Sequence, residues 1–187
     1  MKLILASGSP RRKDLLTAVG VPIAGISPAN IPEQREASES PLSYCIRLAI
    51  EKSKAQSFPN SIVLAADTIV CMQDSVFEKP RDDEHALSML MSMQGEWHNV
   101  ITAWAISNCE TKELFHGHAI SQVRFRILNE QECLAYIDTQ EGKDKAGGYG
   151  IQGLGSALVA TIKGSYSNIV GLPMEDVIPQ LRKHIQF

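Results

Sequence analysis

Blocks of apolar and polar residues follow one another along the chain, and the period of each block indicates an element. Leu3, Ile4 and Leu5 form a short apolar run that leads into the small-residue turn Ser7-Gly8-Ser9 and then into a helix. Ser9 is placed as its N-cap and Pro10 as the first helical residue, where the missing N–H costs nothing. The helix runs through residues 15–19 and ends at Gly20. Residues 21–27 read as a short strand, and 28–41 as an exposed polar loop carrying Glu33, Glu36 and Glu39. Ser40-Pro41 repeats the cap-and-proline signature. The helix it opens has Leu42, Cys45, Ile46, Leu48, Ala49 and Ile50 at helical spacing.

Residues 61–72 (SIVLAADTIVCM) are apolar without alternation, which predicts a strand buried on both faces. A turn at 73–75, a short return at 76–78 and a helix near 82–93 follow, the helix with Ala86, Leu87, Leu90 and Met91 on its inner face. Residues 97–107 and 114–126 predict two long strands around a hairpin turn at 108–112, and 130–138 a further helix. A glycine-rich stretch at 141–155 precedes a strand at 157–163. The last helix spans about 174–185, with Pro179 predicting a kink or a late start. Helices and strands alternate early and a hairpin lies in the middle, so the sheet should be mixed α/β.

The length of 187 residues suits one domain with a sizeable core. With 18 basic and 21 acidic residues the net charge is −3, which argues against a duplex nucleic-acid surface. Anion binding must then come from a local cluster of cations. Cys45, Cys71, Cys109 and Cys133 are widely spaced and form no C-x-x-C pair, so buried, reduced thiols in a cytoplasmic protein are expected. The apolar run at 1–5 is too short for a secretory leader, and no window approaches the ~20 apolar residues of a membrane span.

Three features carry candidate chemistry. Arg11 and Arg12 lie in the first turn of a helix, where the dipole disfavours cations unless an anion binds there. Asp67 interrupts a core-like strand, and a buried carboxylate needs a cation, a metal or several donors. Lys52 and Lys79 are possible partners, although each lysine taken alone reads as solvated surface. The third feature is the 141–155 stretch, which holds six of the 13 glycines. Gly148, Gly150 and Gly153 have G-x-G-x-x-G spacing, but no buried strand precedes them and no helix follows, which excludes a dinucleotide fold. There is neither a Walker A loop nor a G-x-S-x-G elbow. His116 and His118 read as a surface pair.

SGSPRR (7–12), RLAIEKS (47–53), AADTIV (65–70), EKP (78–80), HNVITA (98–103), DKAGGYGIQGLG (144–155) and GSYSNIVGLP (164–173) occur in this order. Together they resemble the Maf family of nucleoside triphosphate pyrophosphatases over nearly the whole chain. The resemblance implies a single Maf/ITPase-like α/β domain over 1–187. Its sheet would be central, mixed, elongated and twisted, flanked by helices, with two lobes and a cleft; a homodimer is common. It also implies hydrolysis of a nucleoside triphosphate to the monophosphate and pyrophosphate with a divalent cation, Mg²⁺ or Mn²⁺.

By motif, Asp67 corresponds to the proton acceptor, and Glu33, with Asp67, to the metal-binding acids. Ser7, Ser9, Arg11, Arg12, Lys52 and Lys79 fall on substrate-binding positions. Arg11, Thr68 and Gln152 match the specificity positions of the branch acting on dTTP and UTP, rather than the branch acting on 7-methyl-GTP. Two positions depart from the family pattern: Asn30-Ile31-Pro32 stands where an acidic cluster is usual, and Glu78 where glycine is common. The rival reading is a non-catalytic nucleotide-binding regulator of cell division.

Overall fold

Strand β1 (Lys2–Leu5) pairs in parallel with β2 (Ile23–Ile26) on one side and β3 (Ser61–Met72) on the other. The computed structural model that shows this describes residues 1–187. Helix α1 (Pro10–Ala18) connects β1 to β2, and α2 (Pro41–Lys54) precedes β3. Strand β4 (Ser75–Phe77) turns back antiparallel on the end of β3. Helix α3 (Asp83–Met93) leads to the long strands β5 (Trp97–Asn108) and β6 (Leu114–Phe125). Helix α4 (Glu130–Asp138), two 3-10 turns (Ala146–Gly148 and Gly153–Leu158), β7 (Val159–Lys163), α5 (Tyr166–Val170) and α6 (Met174–Leu181) complete the chain. The seven strands form one mixed sheet in the order β2-β1-β3-β5-β6-β7, with β4 on β3.

The chain divides into two compact units. The first comprises Met1–Asp67, Thr102–Ala119 and Gly171–Phe187; the second comprises Thr68–Ile101 and Ile120–Val170. In the first, Leu3 and Leu5 of β1, Leu16 of α1, Ile62 and Leu64 of β3 and Leu172, Val177 and Leu181 near the C-terminus share a core. On the opposite face of β1 and β3, Ile4, Ala6, Val63 and Ala65 make a smaller cluster, as period 2 requires of a strand covered on both sides. The second unit has its own core of Met89, Leu90 and Met93 of α3 with Val123 and Phe125 of β6, Cys133 and Tyr136 of α4, and Tyr149.

The foreseen helices start within a residue of the sequence reading, whereas α1 ends at Ala18 rather than at Gly20 and α6 at Leu181 rather than near 185. Ser40 caps α2 through the N–H of Ser43, Asp82 caps α3, and Asn129 with Glu132 forms a capping box on α4. Ser9 stands at the N-cap of α1 but its side chain makes no cap bond. Strand β7 starts at Val159, because the preceding residues are taken up by the 3-10 turn. Helix α6 begins at Met174 with Pro179 inside it and stops at Leu181, so the proline does not delay its start. Helix α5 was not foreseen; five residues are too few for a helical period to be read.

Candidate active site

The first unit holds seven of the named residues, Ser7, Ser9, Arg11, Arg12, Glu33, Lys52 and Asp67. Asp67 lies inside β3 and is 6% exposed, so the strand does not carry it out into solvent. Along β3, β1 is paired to Ser61–Leu64 and β4 to Val70–Met72, which places Asp67 between the two partners. Its backbone carbonyl accepts a bond from the thiol of Cys45 on α2 at 3.3 Å, and burial pushes that thiol well above its ordinary pKa.

Lys52 corrects the reading of it as surface. Only 8% exposed, it lies on the buried stripe of α2 formed by Tyr44, Cys45, Leu48 and Ala49, one turn beyond Leu48. Its Nζ donates to Asp67 Oδ1 at 2.6 Å and meets Glu33 Oε1 at 2.8 Å. One ammonium thus bridges two carboxylates, the arrangement that a buried carboxylate requires.

Arg12 is fixed from two sides. Its Nε donates to the carbonyl of Gly171 at 2.8 Å, and its Nη1 to Ser7 Oγ at 2.9 Å. Burial pulls the guanidinium below its ordinary pKa, while the charges of Asp67 and Glu33 act the other way. Ser7, 7% exposed, also accepts the N–H of Ser9 at 3.3 Å. The turn before α1 is therefore organised by the Ser7 hydroxyl rather than by Ser9. Arg11, beside Arg12, is half-buried.

The loop that brings Glu33 to Lys52 is held by α2. Tyr44 donates its hydroxyl to the carbonyl of Glu33 at 2.9 Å, and Arg47 grips Glu39 with two bonds, at 2.8 and 2.9 Å. Arg47 also reaches the carbonyl of Gln34 at 2.9 Å. Glu39 is therefore not the exposed acid foreseen: its side chain is 9% exposed, and the Arg47 bonds hold its carboxyl below the usual range. Neither Arg47 nor Tyr44 was singled out from the sequence. The signal was there in the spacing, since Arg47 precedes Glu51 by one helical turn and Tyr44 heads the buried stripe.

Thr68, Lys79 and Gln152 belong to the second unit, where Thr68 is half-buried and Lys79 and Gln152 are exposed. Lys79 lies in solvent on the turn before Pro80. The turn that carries it is tied to the glycine-rich loop by the N–H of Gly147, which bonds the carbonyl of Glu78 at 3.1 Å. Gly147 has φ 73, and an added Cβ would press on the Val70 side chain at 3.1 Å, so this contact requires glycine. Tyr149, in the same loop, meets buried His98 at 2.7 Å between its hydroxyl and Nε2. His116 and His118 are exposed, as the surface reading has it.

Carboxylate oxygens are the donors that a hard divalent cation takes, and here both carboxylates are paired with Lys52. No group of three His, Cys, Asp or Glu side chains stands together. Asp67 and Glu33 are two carboxylates, a number with which Mg²⁺ is held where water and substrate phosphates supply the remaining ligands.

The sequence matches the model of a family described as Maf-like protein over residues 2–184. A dTTP/UTP pyrophosphatase of Saccharophagus degradans is 45% identical, covering 92% of this chain and 83% of that one. One from Desulfotalea psychrophila is 44% identical over 96% and 92%, and one from Escherichia coli K12 is 45% identical over 92% and 87%. Among solved structures, a HAM1 protein from Coxiella burnetii has 13% identity and a TM-score of 0.45, covering 67% of this chain and 73% of that one.

Proposed function

This chain belongs to the Maf family, and we propose that it hydrolyses dTTP and UTP to the monophosphate and pyrophosphate. The observation that carries the reading is Asp67, buried in β3 beside the cations Lys52 and Arg12. Binding alone does not call for a desolvated carboxylate, which costs stability unless it is compensated.

In the mechanism, water attacks the α-phosphorus and pyrophosphate leaves. Asp67 orients that water and takes its proton, and Lys52 offsets the charge of Asp67 and Glu33. Arg12, already oriented by Gly171 and Ser7, presents a fixed positive charge to the phosphates. Arg11, Ser7 and Ser9 complete the hold of the first unit on the triphosphate, where positioning and charge supply most of the catalysis of phosphoryl transfer; Lys79 is a further phosphate contact by its motif. Asp67 and Glu33 would hold a divalent cation, Mg²⁺ or Mn²⁺, which would supply positive charge to the phosphate oxygens.

Arg11, Thr68 and Gln152 select the base, with the amide of Gln152 able both to donate to and accept from a pyrimidine edge. We read the protein as a homodimer of the cytoplasm. That none of its four cysteines forms a disulfide is consistent with a reducing compartment, and no helix is long and apolar enough to cross a membrane.

The test is pyrophosphate release from dTTP, UTP, 7-methyl-GTP and inosine triphosphate by the wild type and by Asp67→Asn. The wild type is expected to favour dTTP and UTP. The variant should bind UTP as before and turn over roughly 10²–10⁴-fold more slowly. Unchanged turnover in the variant would overturn the role of Asp67, and a preference for 7-methyl-GTP would overturn the substrate assignment.

A further inference from the structure

The glycine-rich loop is closed on itself by one carboxylate. Glu141 Oε2 accepts the N–H of Leu154 at 2.9 Å, and Oε1 accepts the N–H of Gly155 at 2.8 Å. The Tyr136 hydroxyl donates to Glu141 Oε1 at 3.3 Å and accepts the N–H of Gly150 at 3.1 Å. Gln152 is therefore bracketed, with its neighbours on both sides bonded to the Glu141–Tyr136 pair. The fit is close: Gly153 has φ 63, and a Cβ there would lie 2.5 Å from Glu141 Oε2. A Cβ on Gly155 would lie 2.0 Å from the carbonyl of Gly150.

Gln152 is the N-cap of the 3-10 turn Gly153–Leu158, yet its side chain makes no cap bond. A Ser, Thr, Asp or Asn in that position would spend its side chain on the first free N–H groups of the turn, which the longer Gln152 does not do. Here Glu141 satisfies those donors from outside. Burial alone would raise the Glu141 carboxyl; the bonds from Gly155, Leu154 and Tyr136 and the charge of Lys145 outweigh it and hold it below its ordinary range. The acceptor is thus an anion at neutral pH, the stronger form for this task.

We propose that Glu141 is a positioning residue for base selection: it caps the turn and so holds in one place the backbone from which the Gln152 amide reaches the nucleotide. The proposal rests on the reading of Gln152 as a base contact. It goes beyond that reading because an amide can pair with uracil or, turned over, with cytosine. Either pairing forms only if the amide lies within hydrogen-bond distance of the base edge, and the carboxylate fixes the backbone that sets this distance for uracil. A cap that only stabilised the fold would leave base preference unaltered.

The experiment measures kcat and KM for UTP and CTP with the full-length protein as wild type, Glu141→Gln, Tyr136→Phe and Gln152→Ala. In Glu141→Gln one of the two accepting oxygens becomes an NH2 donor that faces an N–H group. The variant should lower the UTP-to-CTP ratio of kcat/KM by about tenfold, mainly through KM for UTP. Tyr136→Phe should shift the ratio in the same direction by less, and it decides the matter if Glu141→Gln does not fold. A collapsed ratio in Gln152→Ala with the wild-type ratio kept in Glu141→Gln and Tyr136→Phe overturns the role of Glu141 while leaving that of Gln152 intact. An unchanged ratio in Gln152→Ala overturns the base contact itself, and the positioning role with it.

Discussion

Lys52 and Lys79 look alike as residues, and the difference between them is one of helical phase. Lys52 falls one turn after Leu48 on a stripe that is otherwise apolar, so the helix carries its ammonium inward to Asp67 and Glu33. Lys79 precedes a proline in a turn and stays in solvent. The burial of Lys52 was therefore legible from periodicity, whereas its two partners were not, because they come from a distant strand and an irregular loop. His98 is a second case. Its ring is 1% exposed, packed edge-on against Phe125 and Tyr149, and its Nδ1 has no hydrogen-bond partner.

Burial pushes His98 down to about 4 from the ordinary 6.5. Between these values the unfolded chain takes up a proton that the native protein refuses, so stability falls as pH drops through that window and levels off below it. Urea unfolding at pH 7 and pH 4.5 should show an acid loss about 2 kcal/mol larger in the wild type than in His98→Gln. Equal losses in the two proteins would contradict a neutral, buried His98.

At the scale of elements, the strands and helices were legible where a period ran long enough. Strand β3 and helix α4 match the sequence reading to the residue, and the hairpin of β5 and β6 differs by a residue at its ends. Polar segments were harder to read, since polarity predicts exposure and says nothing of partners. The stretch before α2 is the clearest example: it has no strand or helix of its own, and Arg47, Tyr44 and Arg35 bond it to the helix or to itself. Bidentate Arg–carboxylate bonds with a backbone carbonyl added are among the stronger polar contacts.

Removing these bonds with Arg47→Ala should loosen the loop and expose Arg35. Under native conditions trypsin is expected to cut after Arg35 about tenfold faster in the variant, with global stability lower by about 1–2 kcal/mol. Cleavage at the wild-type rate would show that the loop is held by something other than Arg47.

For the whole molecule, the α/β class is legible in the order of strands and helices, and the family in the order of the motifs. The two compact units could not be read in the same way. The first is assembled from three separated stretches of chain, and β3, β5 and β6 each contribute to both units, so no linker or change of composition marks a boundary. What the sequence placed far apart, Ser7, Arg12, Glu33, Lys52 and Asp67, the first unit brings together around one lysine and one arginine.

The central claim is that this cluster serves attack of water on the α-phosphorus. Hydrolysis of UTP in H₂¹⁸O, with the products resolved by mass, tests it most directly. The account predicts one ¹⁸O in UMP and unlabelled pyrophosphate. Label in the pyrophosphate, or release of UDP and inorganic phosphate, would contradict it.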